Sequence, residues 1–131
     1  MRTLLPPGWP RPKGYSNGIA AEGKFVFVAG EVGWDPVTEK FPAKDFVGQF
    51  RQALKNIVAI MAEGGAKPEH MVRMTWYVVD RAEYLASLKG VGEAWREIMG
   101  RSFPCIAAIE VKGLMEAEAK IEIETTAIVP R

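Results

Sequence analysis

The sequence has almost none of the residues that build covalent or metal frameworks. It contains one cysteine, Cys105, and one histidine, His70. A single cysteine excludes an internal disulfide, and one cysteine with one histidine supplies no zinc-holding set, so no metal is expected. Long apolar runs are missing too. Runs such as Phe25-Val26-Phe27-Val28-Ala29 fall far short of the ~20 residues that span a bilayer. The opening residues, Met1 to Pro7, carry no apolar stretch of signal-peptide length. A charge bias is absent: 17 basic and 16 acidic residues leave a net charge of +1, which argues against nucleic-acid binding through bulk charge. The expected address is a reducing cytoplasm.

What is there reads as one globular domain over 1–131. Of its 131 residues, 48% are hydrophobic and 25% charged, ordinary values for a folded chain. Four of the nine prolines fall in the first 14 residues, which predicts an extended arm there. A short strand is expected within 15–22. Lys24 to Ala29, aromatic and β-branched, predicts a strand, and its consecutive apolar residues predict burial on both faces. Turn residues then mark a loop up to Pro42. Phe46, Phe50, Leu54, Ile57 and Met61 recur at helical spacing and predict a helix over 43–64. Met71 to Val79 alternates, with Val72, Met74, Trp76 and Val78 on one face and Arg73, Thr75 and Tyr77 on the other. Asp80 is a candidate cap for a second helix over 81–99. Strands over 105–111 and 118–129 complete the chain.

The order β-β-α-β-α-β-β predicts an α+β fold, a mixed sheet with two helices on one face. Two helices leave the other face open, and 24–29 makes that face too apolar to stay wet. Burial against other subunits is the reading preferred; a few tolerated exposed residues are the alternative.

Several strings in this order resemble the RidA family, also called YjgF or L-PSP. Gly14-Tyr15-Ser16-Asn17-Gly18, Ala29-Gly30-Glu31, Gln52-Ala53-Leu54-Lys55-Asn56-Ile57, Val72-Arg73-Met74-Thr75, Phe103-Pro104, and Lys120-Ile121-Glu122-Ile123-Glu124 carry the likeness. It covers about Gly14 to Val129. The resemblance implies a chorismate-mutase-like fold, a homotrimer with small-molecule clefts between subunits, and cofactor-free hydrolysis of imines and enamines; charge balance and run length, as above, predict no nucleic-acid or membrane partner. It also implies roles. Glu122 falls on the acidic position that activates water, Tyr15 on a cleft tyrosine, and Gly30 and Ala108 on backbone positions lining the cleft. Glu31 stands where many relatives have glutamine.

One departure matters most. Active deaminases of the family carry Pro-Ala-Arg-Ser where this chain has Pro104-Cys105-Ile106-Ala107-Ala108, so Ile106 replaces the arginine that clamps a substrate carboxylate. Losing such an anchor costs on the order of 2–5 kcal/mol of binding. The chain therefore resembles an arginine-lacking subgroup. Arg73, with Tyr77 on its strand face, is a candidate substitute cation; a salt bridge to a strand glutamate is the plainer expectation. Trp34 is a candidate apolar wall, with core cover as the plainer role. Cys105 reads as an inert thiol and His70 as a loop residue. Three functions compete: an imine or enamine deaminase or related tautomerase, a non-catalytic trimer that binds a small metabolite or protein, and a ribonuclease. The last is disfavoured by the missing histidine pair and the neutral charge.

Overall fold

The computed structural model describes all 131 residues. Two short strands, β1 (Arg2–Leu4) and β2 (Gly18–Ala20), pair antiparallel. They are followed by β3 (Lys24–Val32), α1 (Phe46–Glu63), a single 3-10 turn at Pro68–His70, β4 (Met71–Val78), α2 (Arg81–Ala86), α3 (Leu88–Met99), β5 (Cys105–Glu110) and β6 (Ile121–Val129). The main sheet has the order β3-β6-β4-β5. β6 runs antiparallel to both neighbours, while β4 and β5 are parallel. The α+β class and mixed sheet are as the pattern predicts.

Packing explains each element. The helical stripe of α1 puts Phe50, Ala53, Leu54, Ile57 and Met61 at full burial, and Asp45 caps the helix by accepting from the Gly48 N–H. From the sheet, Met74, Trp76 and Val78 of β4 meet Thr125, Ile123 and Ile121 of β6 on the helix side. Glu122, Glu124 and Thr126 therefore point to the open face, beside Tyr77, Thr75 and Arg73.

The proline-rich arm is extended, and its Arg2–Leu4 stretch finds a strand partner in Gly18–Ala20. Two expectations need correction. The helix over 81–99 is two helices. Asp80 does cap the first, accepting from the Glu83 N–H, but Ser87 ends it by donating its hydroxyl to the Glu83 carbonyl, 2.7 Å away. Such back-bonding competes with the helical ladder. Val72 does not share the face of Met74: a register shift between Met71 and Arg73 brings Met71 opposite Ala127 and into the core.

The open face is as apolar as the 24–29 pattern predicts. Within the single chain, however, its residues are bare: Phe25 is 55% exposed, Phe27 73% and Ile109 46%. Val26 and Val28 of the same strand pack inward.

Candidate functional site

At one edge of the sheet, β3 slips by a residue between Val28 and Glu31, where Ala29 and Gly30 bulge against β6. The slip sets Val32 opposite Glu122. Gly30 lies beneath the Glu122 side chain so closely that a Cβ there would overlap its carboxylate. Asn56 of α1 fixes this stretch, donating to the carbonyls of Val32 at 3.2 Å and Trp34 at 2.9 Å. Gln52 in turn donates to the Asn56 side-chain oxygen at 2.9 Å. The Gln-Ala-Leu-Lys-Asn-Ile string thus holds the strand end that carries Gly30 and Glu31.

Two acids meet here. Burial raises the Glu31 pKa above its ordinary value, and the charge of Glu122 raises it further. Next to them the Tyr77 hydroxyl donates to the Glu124 carboxylate at 2.6 Å. That bond, with smaller help from burial and charge, keeps the phenol protonated.

At the other edge, Ser16 donates its backbone N–H to the Pro104 carbonyl at 3.0 Å and its hydroxyl to the Phe103 carbonyl at 2.6 Å. Those bonds hold Tyr15 beside the start of β5. Ile106 and Ala108 pair with Met74 and Trp76, on the side facing the helices. Between β5 and α3 opens a cavity of about 490 Å³, lined by Tyr15, Ile106 and Ala108 together with Trp76, Trp95 and Phe103. An open, mostly apolar cavity of this size is typical of small-molecule sites.

A family described as Endoribonuclease L-PSP matches residues 10–129. The chain belongs to this family, the RidA/YjgF group. A RutC family protein of Pyrococcus horikoshii is 35% identical over 119 residues, covering 90% of each chain. The 2-iminobutanoate/2-iminopropanoate deaminase of Escherichia coli is 32% identical over 106 residues, covering 81% of this chain and 80% of that one. Among solved structures, the Rid family protein YyfB of Yersinia pestis, of unknown function, superposes with a TM-score of 0.84 at 27% identity, covering 98% of both chains.

This RidA-family chain does not gather its candidate residues in one place. Gly30 and Glu31 sit on the edge strand β3 with Glu122 beside them on β6, on the open face, while Tyr15, Ile106 and Ala108 lie at the β5 edge, Ile106 and Ala108 on the helix side. Two to three strand spacings, about 10–14 Å, separate the groups across the sheet. Arg73 joins neither group. It pairs with Thr126, four positions along β6 from Glu122, and makes no ion pair, so the expected bridge to a strand glutamate is absent. Lys120, two residues before Glu122, turns away and binds Glu83 at 2.7 Å. Trp34 packs against Phe41, with ring centroids 6.1 Å apart and planes tilted by 51°, and joins a small cluster with Val32 and Ala119, so it covers core and lies outside the cavity that Tyr15, Ile106 and Ala108 line. Cys105 is half-buried, and its thiol pKa is raised by burial, which Arg73 only partly offsets. His70 ends the 3-10 turn, where its Nδ1 accepts from the Lys67 N–H.

Sequence reasoning missed the aromatic cavity. Trp76, Tyr84 and Trp95 read as core positions of their strand and helices, which they partly are. The available signal was Gly92 followed by Arg96, one helical turn apart beside that apolar stripe.

Proposed function

We propose that this protein is a trimeric small-molecule hydrolase of the RidA type. Its site forms where the β5 edge of one subunit meets the β3 edge of the next. The observation that carries this is the separation of the two residue groups towards opposite edges of one sheet. Neither half is a complete site, and edge-to-edge assembly joins them while covering Phe25, Phe27 and Ile109. The Escherichia coli relative, a 2-iminobutanoate/2-iminopropanoate deaminase, supports the reaction class.

In this reading an enamine tautomerises to its imine, and water adds to the C=N carbon. The Glu122 carboxylate takes the water proton as the C–O bond forms and the C=N electron pair moves to nitrogen, and it passes that proton to the nitrogen to give the carbinolamine. The carbinol hydroxyl proton then moves through Glu122 to the nitrogen as the C–N bond breaks, so that ammonia departs with both water hydrogens and the carbonyl product remains. A carboxylate in a partly dry cleft suits both transfers. Beside it Glu31, its pKa raised by burial and then by the charge of Glu122, takes up a proton more readily than an exposed carboxylate.

Ile106 on the cavity wall favours a second reading, a trimer that binds a metabolite without turning it over, since the family's carboxylate clamp is missing. Ammonia release from a panel of enamines separates the two. Release by the wild type that falls at least a hundredfold in Glu122→Gln supports the hydrolase. No release from any member of the panel, or release unaffected by Glu122→Gln, defeats it.

A further inference from the structure

The β5-edge cavity differs from its surroundings in charge as well as in shape. Its walls are aromatic: Trp76, Trp95 and Phe103, with the Tyr84 and Tyr15 rings at its border. Trp95 and Phe103 lie nearly parallel, 13° apart with centroids at 6.4 Å, and Trp76 sits 5.9 Å from Trp95. No acidic side chain lines the cavity, but two cations do, Arg96 and Lys13. Neither takes part in an ion pair. The guanidinium of Arg96 folds back over Gly92, where a Cβ would stand in ordinary contact with it, 3.4 Å away.

One donor adds to this. The Tyr84 hydroxyl has a pKa raised by burial, so it stays protonated. The Trp76 indole N–H has no acceptor in the chain but is shut from solvent, so Trp76 offers the cavity its ring and not its N–H. The wall is therefore rich in flat apolar surface and positive charge, and lacks negative charge.

We propose that this cavity selects a planar aromatic ring carrying a carboxylate, with Arg96 of α3 as the group that binds the anion. The proposal rests on the reading of the cavity as the substrate half of the site and names its substrate class: imines or enamines of aryl-substituted 2-oxo acids. Ile106 then has a positive role. It extends the apolar wall against the ring, while the charge that pairs with the carboxylate comes from a helix and not from β5. Arginine suits this task because its planar fork both pairs with a carboxylate and stacks on aromatic faces.

Binding of stable keto acids tests this without requiring turnover. Quenching of tryptophan fluorescence, checked by calorimetry, is measured with phenylpyruvate, pyruvate and the neutral ketone phenylacetone. Phenylpyruvate is expected to bind on the order of tenfold or more tighter than either of the others. Arg96→Gln is expected to remove the advantage of phenylpyruvate over phenylacetone, weakening the keto acid far more than the neutral ketone. Aryl-selective, Arg96-dependent binding with no ammonia release upholds this inference while defeating the hydrolase reading. Equal affinity for pyruvate and phenylpyruvate, or discrimination that survives Arg96→Gln, overturns the inference even where enamines are hydrolysed.

Discussion

Gly30 and Glu122 are locked together: the carboxylate occupies the space that a side chain at position 30 would need. A side chain at position 30 would therefore have to displace the Glu122 carboxylate, whereas backbone conformation sets no such demand, as Gly30 is not among the glycines with positive φ. Gly30→Ala should cost about 1–3 kcal/mol of stability through overpacking. Glu122→Ala removes the obstacle, so the double variant should be more stable than Gly30→Ala alone. Denaturant titrations of the four proteins in the cycle measure this coupling, and additive effects would show the two residues to be independent.

Glu31 should give the protein an unusual pH dependence. Its pKa in the folded chain lies above the ordinary 4.5, from burial first and Glu122 second. The folded state then binds more protons than the unfolded state in the window between the two values. Stability from this group is full below the ordinary pKa and falls as pH rises through the folded one. Glu31→Gln should flatten that decline and raise the melting temperature at neutral pH relative to the wild type. Thermal melts from about pH 4 to pH 8 read the difference; parallel curves for the two proteins would refute it.

The strands and helices were legible because periodicity reports which side of an element is dry. The alternation in β6 alone put Glu122 on the open face. What could not be read was where chemistry-bearing residues meet. Tyr15 reaches Ile106 only through the bonds of Ser16 to Pro104 and Phe103, 87 residues away in the case of its hydroxyl. Arg73 shares a face with Glu122 but sits at the wrong register, which strand alternation does not specify. Trp95 and Arg96 are adjacent in sequence, and only the cavity between α3 and β5 joins them in one site.

Asn56 should matter more to stability than its polarity suggests. Its amide donates to two carbonyls at the end of β3, one of them wholly buried. Leucine at this position leaves both acceptors unsatisfied, a loss of about 2–3 kcal/mol and a fall of about 5–10 °C in melting temperature. Asn56→Asp keeps the shape but replaces donors with a charge facing the same carbonyls, so it should be at least as damaging. A milder effect from Asp than from Leu would mean that packing, not hydrogen bonding, is what Asn56 supplies.

The open sheet face should be where copies of the chain associate. Phe27 is 73% exposed and stands beside Phe25, with ring centroids 5.8 Å apart. Both belong to a strand whose inward residues, Val26 and Val28, already fill the core. The outward pair therefore contributes little to the single chain and much to an assembly that covers it. Phe27→Glu should leave the far-ultraviolet circular dichroism unchanged while lowering the sedimenting mass from three chains to one. Ile60→Glu, on the outer side of α1 and 39% exposed, adds the same charge on the helix layer and should leave the mass at three. Burying one glutamate per subunit without a partner carries a penalty of several kcal/mol, enough to break a trimer at micromolar concentration. A wild-type protein that sediments as a single chain at that concentration would end both this prediction and the idea of a site shared between subunits.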